Sequence, residues 1–124
     1  MIISPIPIMA QKYMLVPLAE GLFSGYDLVT RAVIGALYDR VRLSNYHLIG
    51  DVTGSKWFDP VEQKVYCVFT HAELAAQIGV SERTVRRSLA TLEEDGLVWW
   101  RKAAYKAANR YFLHERITNE LRKQ

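Results

Sequence analysis

Three arginines, Arg83, Arg86 and Arg87, fall within five residues of the last third of the chain. The guanidinium group of arginine is a planar fork of hydrogen-bond donors that can bridge O6 and N7 of a guanine or contact phosphate oxygens. On a helix face that meets only water, an arginine is expected to pair with an acid four residues away. Arg86 has such an acid in Glu82. Arg83 and Arg87 instead neighbour each other at this spacing, a repulsion of about 0.2–0.5 kcal/mol that an anionic partner would relieve.

Helical geometry places these arginines on different sides of one predicted helix, residues 81–95. At 100° per residue, Arg83 and Arg87 point away from the core, with the small Ala90 between them on the outward face. The acids at 93–95 lie in the last turn, where they oppose the helix dipole. They are expected to mark the end of the contact surface. The stripe that faces the core consists of Val85, Leu89 and Leu92.

Two helices joined by a tight turn are predicted from their capping residues. Thr70 and Glu73 have the spacing of a capping box at the start of the first helix. Gly79 can adopt the left-handed conformation that closes this helix, and Ser81 follows at once as the cap of the second. Two capped helices in immediate succession indicate a helix-turn-helix.

Two strands are predicted directly after the second helix, at 97–101 and 109–113, joined by a short basic loop. The segment Trp99–Tyr111 holds four cations and no acid, a local excess typical of a polyanion-binding surface. A helix-turn-helix followed by such a hairpin predicts a winged helix-turn-helix, a mainly α fold with a small β-sheet. The four cations are Arg101, Lys102, Lys106 and Arg110.

At 124 residues the chain is predicted to contain one compact domain. Residues 1–24, apolar and broken by prolines, are expected to form an N-terminal arm. Residues 25–114 are expected to form the winged helix-turn-helix domain, and residues 115–124 a tail or short helix. Inside the domain the pattern predicts a helix over 26–43, a hairpin turn at 59–62 and a buried strand over 65–69.

This organisation predicts sequence-specific binding of double-stranded DNA by a recognition helix, about 81–95, and a basic wing, about 102–110. Arg83 and Arg87 are expected to contact base edges. The remaining helix contacts are expected to be Ser81 with a phosphate, Thr84 with a methyl group or phosphate, and Arg86 with a phosphate. The wing contacts are expected to be Lys102, Lys106 and Arg110 with phosphates, and Tyr105 with the backbone or minor groove.

Other chemistry finds little support in the residues. The histidines, His47, His71 and His114, are far apart, and no glycine-rich phosphate loop is present. Cys67 lies in an apolar run and is expected to be a buried small hydrophobe. No apolar run approaches the roughly 20 residues that a membrane-spanning helix needs. We therefore expect a cytoplasmic protein that is not an enzyme, with no cofactor, metal or membrane.

The segment 69–97, which contains ELAAQIGVSERTVRR, resembles winged-helix modules in general, and GntR-type repressors share its pattern. The order of further motifs is similar to the N-terminal domain of the RepA family of plasmid replication initiators of low-GC Gram-positive bacteria. These motifs are YMLVP at 13–17, ALYDR at 36–40, WFD at 57–59, VYCVFT at 65–70 and NRYF at 109–112.

The resemblance implies a homodimer that binds repeated sequences at a plasmid origin, which in this family often lies inside the initiator's own gene. It also implies a separate C-terminal domain that recruits replication machinery. The wing loop AAYKAA departs from the glycine-rich, more basic tip of the family. Two alternatives stay open at this point: the DNA-binding domain of a GntR-like transcriptional repressor, and a winged helix that contacts only proteins.

Overall fold

The computed structural model describes residues 14–44, 57–102 and 108–124 of the chain. Within these ranges, two adjacent helices followed by a β-hairpin form the predicted winged helix-turn-helix. A short 3-10 turn, Gly21–Phe23, precedes the first helix. The helices are α1 (Leu28–Ser44), α2 (His71–Ile78), α3 (Glu82–Glu94) and α4 (Glu115–Lys123). The strands are β1 (Phe58–Asp59), β2 (Lys64–Val65), β3 (Cys67–Phe69), β4 (Val98–Lys102) and β5 (Asn109–Leu113).

A three-stranded antiparallel sheet forms the stem of the wing, in the order β3–β5–β4. Strands β4 and β5 pair over their full length, from Val98 opposite Leu113 to Lys102 opposite Asn109. Side chains alternate between the two faces of a strand, so each strand of the sheet has an inner and an outer face. The inner face packs on the helices through residues such as Cys67, Val98 and Tyr111. The other face lies under a second, two-stranded hairpin made by β1 and β2.

The predicted strand over 65–69 is confirmed at Cys67–Phe69, which form β3 and pair with β5. Its first residue, Val65, belongs instead to β2, which pairs with β1. Between them, the N–H of Tyr66 donates to the carbonyl oxygen of Trp57 at 2.9 Å. The predicted turn at 59–62 is confirmed as the connection between β1 and β2.

The predicted capping residues define the helix-turn-helix. At the start of α2, the N–H of Glu73 donates to Thr70 Oγ1 at 3.0 Å, and the N–H of Thr70 donates to Glu73 Oε1 at 2.8 Å. Gly79 closes α2 with a φ of 87°, which favours glycine. Ser81 Oγ then accepts the N–H of Thr84 at 3.2 Å and starts α3. The turn between the helices is therefore set by local chemistry.

The core lies between α1, α2, α3 and the inner face of the three-stranded sheet. Truncation of one buried leucine to alanine typically lowers the stability of a fold by about 2–5 kcal/mol. The buried residues shared by α1 and α3 therefore fix the position of α3 on α1. The cluster includes Val33, Ile34 and Leu37 of α1, Leu74 of α2, Val85, Leu89 and Leu92 of α3, and Cys67, Val98 and Tyr111 of the sheet.

The C-terminal helix α4, predicted over 115–123, joins the same core. Its Ile117 side chain is fully buried. The side-chain amide of Gln124 forms two hydrogen bonds with the backbone of Leu18, at 2.8 and 3.1 Å. The two ends of the described chain thus pack together beside the helix-turn-helix.

Among the residues that the structure describes, none of the helices combines the length and the apolar character needed to cross a membrane.

Candidate nucleic-acid interface

Helix α3 presents two chemically opposite faces. Val85, Leu89 and Leu92 are completely buried. Arg83 and Arg87 are exposed on the other side, as the helical geometry predicted. The orientation of the two arginines is fixed because the apolar stripe opposite them cannot leave the core.

The three arginines of α3 differ in their partners. Arg86 Nη1 lies 3.6 Å from Glu82 Oε1, which confirms the predicted pairing. Both side chains of this pair are about half exposed, so the pair adds little stability. Within the described ranges, neither Arg83 nor Arg87 forms an ion pair. Two guanidinium groups four residues apart are thus left without a neutralising acid, on one exposed face.

Ser81 and Thr84 lie at the amino end of the same face. Their hydroxyl oxygens are 3.0 Å apart, and Ser81 Oγ also accepts the Thr84 N–H. Both side chains are therefore held by the cap, while the positive end of the helix dipole lies beside them. Ser81, Arg83, Thr84 and Arg87 together form one surface at the first two turns of α3, which we call the arginine face. Their individual contacts with DNA stay predictions.

The carboxyl end of α3 is tied back to the domain. The hydroxyl of Tyr26 donates to Asp95 Oδ2 at 2.5 Å. Burial, followed by the hydrogen bond and the negative charge of Asp95, raises the pKa of the Tyr26 hydroxyl well above its ordinary value. The phenol therefore stays protonated and keeps its role as donor. Glu93 and Glu94 beside it are exposed and follow Arg87 by about two helical turns.

A second polar contact fixes the middle of α3 on α1. Thr30 Oγ1 donates to Ser88 Oγ at 2.9 Å, and both residues are only 5% exposed. Neither this contact nor that of Tyr26 with Asp95 is predicted from the sequence. The partners are 58 and 69 positions apart, respectively, and neither their residue types nor their spacing indicates that they pair. The one available hint is that a threonine and a serine fall on otherwise apolar helix faces.

The stem of the wing ends in a lysine whose side chain is exposed to solvent. Lys102 is exposed at the end of β4. No ion pair connects it to any part of the chain that the structure describes. Tyr105 and Lys106, which were predicted as wing contacts, lie outside the described residues. The ring of Trp100, on β4 of the same stem, packs 5.7 Å from the ring of Tyr111.

Arg110 has a partner that its predicted role as a phosphate contact did not anticipate. Its Nη1 lies 3.2 Å from Oδ2 of Asp59, a carboxylate that is only 1% exposed. Arg101 contacts the same oxygen. The guanidinium of Arg110 also stacks over the ring of Tyr66, with 4.7 Å between its Cζ and the ring centroid. The structure thus places Arg110 in an internal ion pair, and its contact with a phosphate stays a prediction.

The single cysteine is buried, as predicted. Cys67 Sγ lies 3.6 Å from the carbonyl oxygen of Leu37. Burial raises the pKa of the thiol to about 12. Among the described residues, no group of three or more histidine, cysteine, aspartate or glutamate side chains could hold a metal ion.

We predict that Thr30→Val destabilises the fold by about 1–3 kcal/mol, because it leaves the buried hydroxyl of Ser88 without its partner. Urea denaturation followed by circular dichroism measures this change. Thr91→Val is the matched control. The Thr91 hydroxyl donates to the carbonyl oxygen of Arg87 on an exposed face, so its loss should cost less than about 0.5 kcal/mol. Equal effects of the two substitutions would contradict a role for Thr30 in holding α3.

Comparison with known proteins places this geometry in context. The family model described as the Crp-like helix-turn-helix domain matches residues 42–111. This range begins in α1, contains α2, α3 and β4, and ends in β5. No match is found among curated protein sequences.

Solved structures share the whole fold at low sequence identity. A structure described as the N-terminal domain of a DNA-binding protein is 16% identical, with a TM-score of 0.59, and the alignment covers 99% of this chain and 93% of that one. A Rep–DNA complex is also 16% identical, with a TM-score of 0.58 and coverages of 99% and 94%. A structure described as an MDR initiator is 15% identical, with a TM-score of 0.59 and coverages of 99% and 97%.

These likenesses confirm the predicted winged helix-turn-helix fold. Two of the three structures are described as a Rep protein with DNA and as an initiator. The predicted resemblance to replication initiators is therefore confirmed at the level of the fold.

Proposed function

Because the chain belongs to the Crp-like helix-turn-helix domain family, we propose that its function is sequence-specific recognition of double-stranded DNA. Helix-turn-helix domains are DNA-binding modules that insert the second helix into the major groove. The observation that carries the proposal is the arginine face. Arg83 and Arg87 are exposed, lie opposite a fully buried stripe, and form no ion pair with any described residue.

The proposed mechanism uses only the first two turns of α3 for base contacts. Arg83 and Arg87 would each offer a guanidinium fork to a guanine edge. Thr84 would contact a methyl group or phosphate, and Ser81 with the free amides of the helix start would bind a phosphate. The acidic end would lie beyond the base contacts, about two helical turns after Arg87, where Asp95 accepts the hydroxyl of Tyr26.

Arg86 has a different proposed role from its two neighbours. Its pairing with Glu82 holds it to one side of the arginine face. From that side it would contact a phosphate and fix the register of the helix without reading a base. Lys102 and Lys106 of the wing would add phosphate contacts on the adjacent backbone, and Tyr105 would contact the backbone or minor groove.

We further propose that the DNA consists of origin repeats bound by a replication initiator, acting as a homodimer in the cytoplasm. Two observations support this. The order of sequence motifs is similar to that of the RepA family, and the fold is shared over 99% of the chain with structures described as a Rep–DNA complex and an initiator. Recruitment of replication machinery would belong to a separate C-terminal domain, and the role proposed for this chain is binding without catalysis.

Fluorescence anisotropy with labelled DNA tests the proposed function directly. Fragments of the chain's own coding sequence are compared with scrambled fragments of the same composition, over a range of salt concentrations. We expect one repeat-containing fragment to bind far more tightly than its scrambled counterpart. The logarithm of affinity should fall linearly with that of salt, with a slope of about −0.9 per phosphate contact. Equal, weak binding to every fragment would contradict specific recognition of these repeats.

We predict that Arg87→Ala weakens binding to the specific site by about 1–3 kcal/mol and changes binding to scrambled DNA little, because a base contact is lost. The same anisotropy assay measures both. Arg86→Ala is the matched control on the same helix and should weaken both DNAs alike, as expected for a phosphate contact. A loss of equal size on both DNAs for Arg87→Ala would assign this residue to the backbone and refute base readout.

A further inference from the structure

Two cations face each other across the stem of the wing. Arg101 of β4 lies directly opposite Arg110 of β5 in the strand register. Like charges at directly opposed positions of an antiparallel pair destabilise it. The side chains are 40% and 33% exposed, so water screens their repulsion only in part. The stem therefore needs an anion at this position.

Asp59 supplies that anion from outside the three-stranded sheet. Its Oδ2 accepts hydrogen bonds from both guanidinium groups, with Arg110 Nη1 at 3.2 Å. Its Oδ1 accepts the backbone N–H groups of Val61 at 2.9 Å and Glu62 at 3.0 Å. Both oxygens are thus occupied, and the carboxylate is held by its own turn before it meets the arginines.

The charge of Asp59 is stable at neutral pH. Burial is the largest single influence and raises the pKa of this carboxyl. The N–H groups of Glu62 and Val61 and the charges of Arg101 and Arg110 outweigh burial, so the pKa lies below its ordinary value.

Glu62 extends the same contact along β4. Its Oε1 accepts the indole N–H of Trp99 at 2.9 Å, and its Oε2 lies 3.7 Å from Nη1 of Arg101. The β1–β2 hairpin therefore clamps the outer face of the wing stem, while the inner face is packed on the core. Held on both faces, the stem has one direction in which to present Lys102 at the end of β4.

We propose that Asp59 is a positioning residue for DNA binding, which directs the wing stem, and with it Lys102, toward the phosphate backbone by joining Arg101 to Arg110. This inference rests on the proposed function, since it assigns the wing's aim to a residue that itself contacts no DNA. It also gives Arg101 and Arg110 an internal role in place of a phosphate contact.

Positioning and simple electrostatics predict opposite effects of neutralising Asp59. Asp59→Asn raises the formal net charge of +3 by one. By charge alone, a more basic protein binds a polyanion more tightly. If Asp59 aims the wing, the substitution instead weakens binding, because the stem loses the anion between its two arginines. The sign of the change therefore separates the two explanations.

The experiment measures binding of native protein, Asp59→Asn and Asp39→Asn to the repeat-containing fragment by anisotropy. Asp39 pairs with Arg42 at 2.6 Å on α1, so its substitution removes an equal charge and an ion pair away from the wing. We expect roughly tenfold weaker binding for Asp59→Asn, the size of effect expected from losing one or two phosphate contacts. Asp39→Asn should bind as the native protein does.

A double-variant comparison separates positioning from general loss of structure. When Lys102→Ala and Lys106→Ala remove the wing cations, adding Asp59→Asn should cause no further loss of affinity, because the wing no longer contributes. Asp59→Glu, which keeps the charge but shifts the carboxylate, replaces Asp59→Asn if the latter fails to fold, and should also weaken binding.

The outcomes distinguish this inference from the proposed function. If the native protein binds no DNA, the proposed function fails and this inference with it. If the native protein binds and Asp59→Asn binds equally or more tightly, the positioning role alone is overturned. An equal loss with and without the two wing lysines would likewise overturn it and assign Asp59 to general stability.

Discussion

Burial of one side of α3 is the constraint on which the rest of the interface depends. Val85, Leu89 and Leu92 are completely enclosed, and a helix with one buried side can offer only the opposite side to a partner. The repulsion between Arg83 and Arg87 is small beside the several kcal/mol that removal of such a stripe would cost. The fold therefore keeps two guanidinium groups without an ion pair on the exposed side of α3.

The two outward-facing arginines of α3 and those of the wing stem differ in whether an acid of the protein neutralises their charge. On α3, Arg83 and Arg87 form no ion pair within the described structure, which suits recognition of an external anion. On the stem, Arg101 and Arg110 share the carboxylate of Asp59 and are satisfied internally. Basic residues that are close together in the last third of the chain thus differ in their partners, and we propose a DNA contact only for those without an internal carboxylate. A count of cations would assign both groups to the same surface.

The features predicted from sequence are those that depend on near neighbours. The caps at Thr70 and Ser81, the left-handed Gly79 and the pairing of Arg86 with Glu82 all involve residues at most four positions apart, and each is confirmed. The contacts that sequence reasoning missed span much longer separations. Arg110 and Asp59 are 51 positions apart, so the sequence displays the charge of this arginine without showing its partner. The same limit applies to the predicted strand over 65–69, since the sequence does not show that Val65 pairs with β1 while Cys67–Phe69 pair with the distant β5.

The central claim is that Arg87 reads a guanine in the major groove, and a coupling experiment tests it most directly. Replacing individual guanines of the specific site by 7-deazaguanine removes only the N7 acceptor that an arginine fork would contact. Affinities of native protein and Arg87→Ala for both DNAs form a double-mutant cycle. At one guanine we expect the base change to weaken native binding but not that of Arg87→Ala, a coupling of about 0.5–3 kcal/mol. Additive effects at every guanine of the site would contradict the claim.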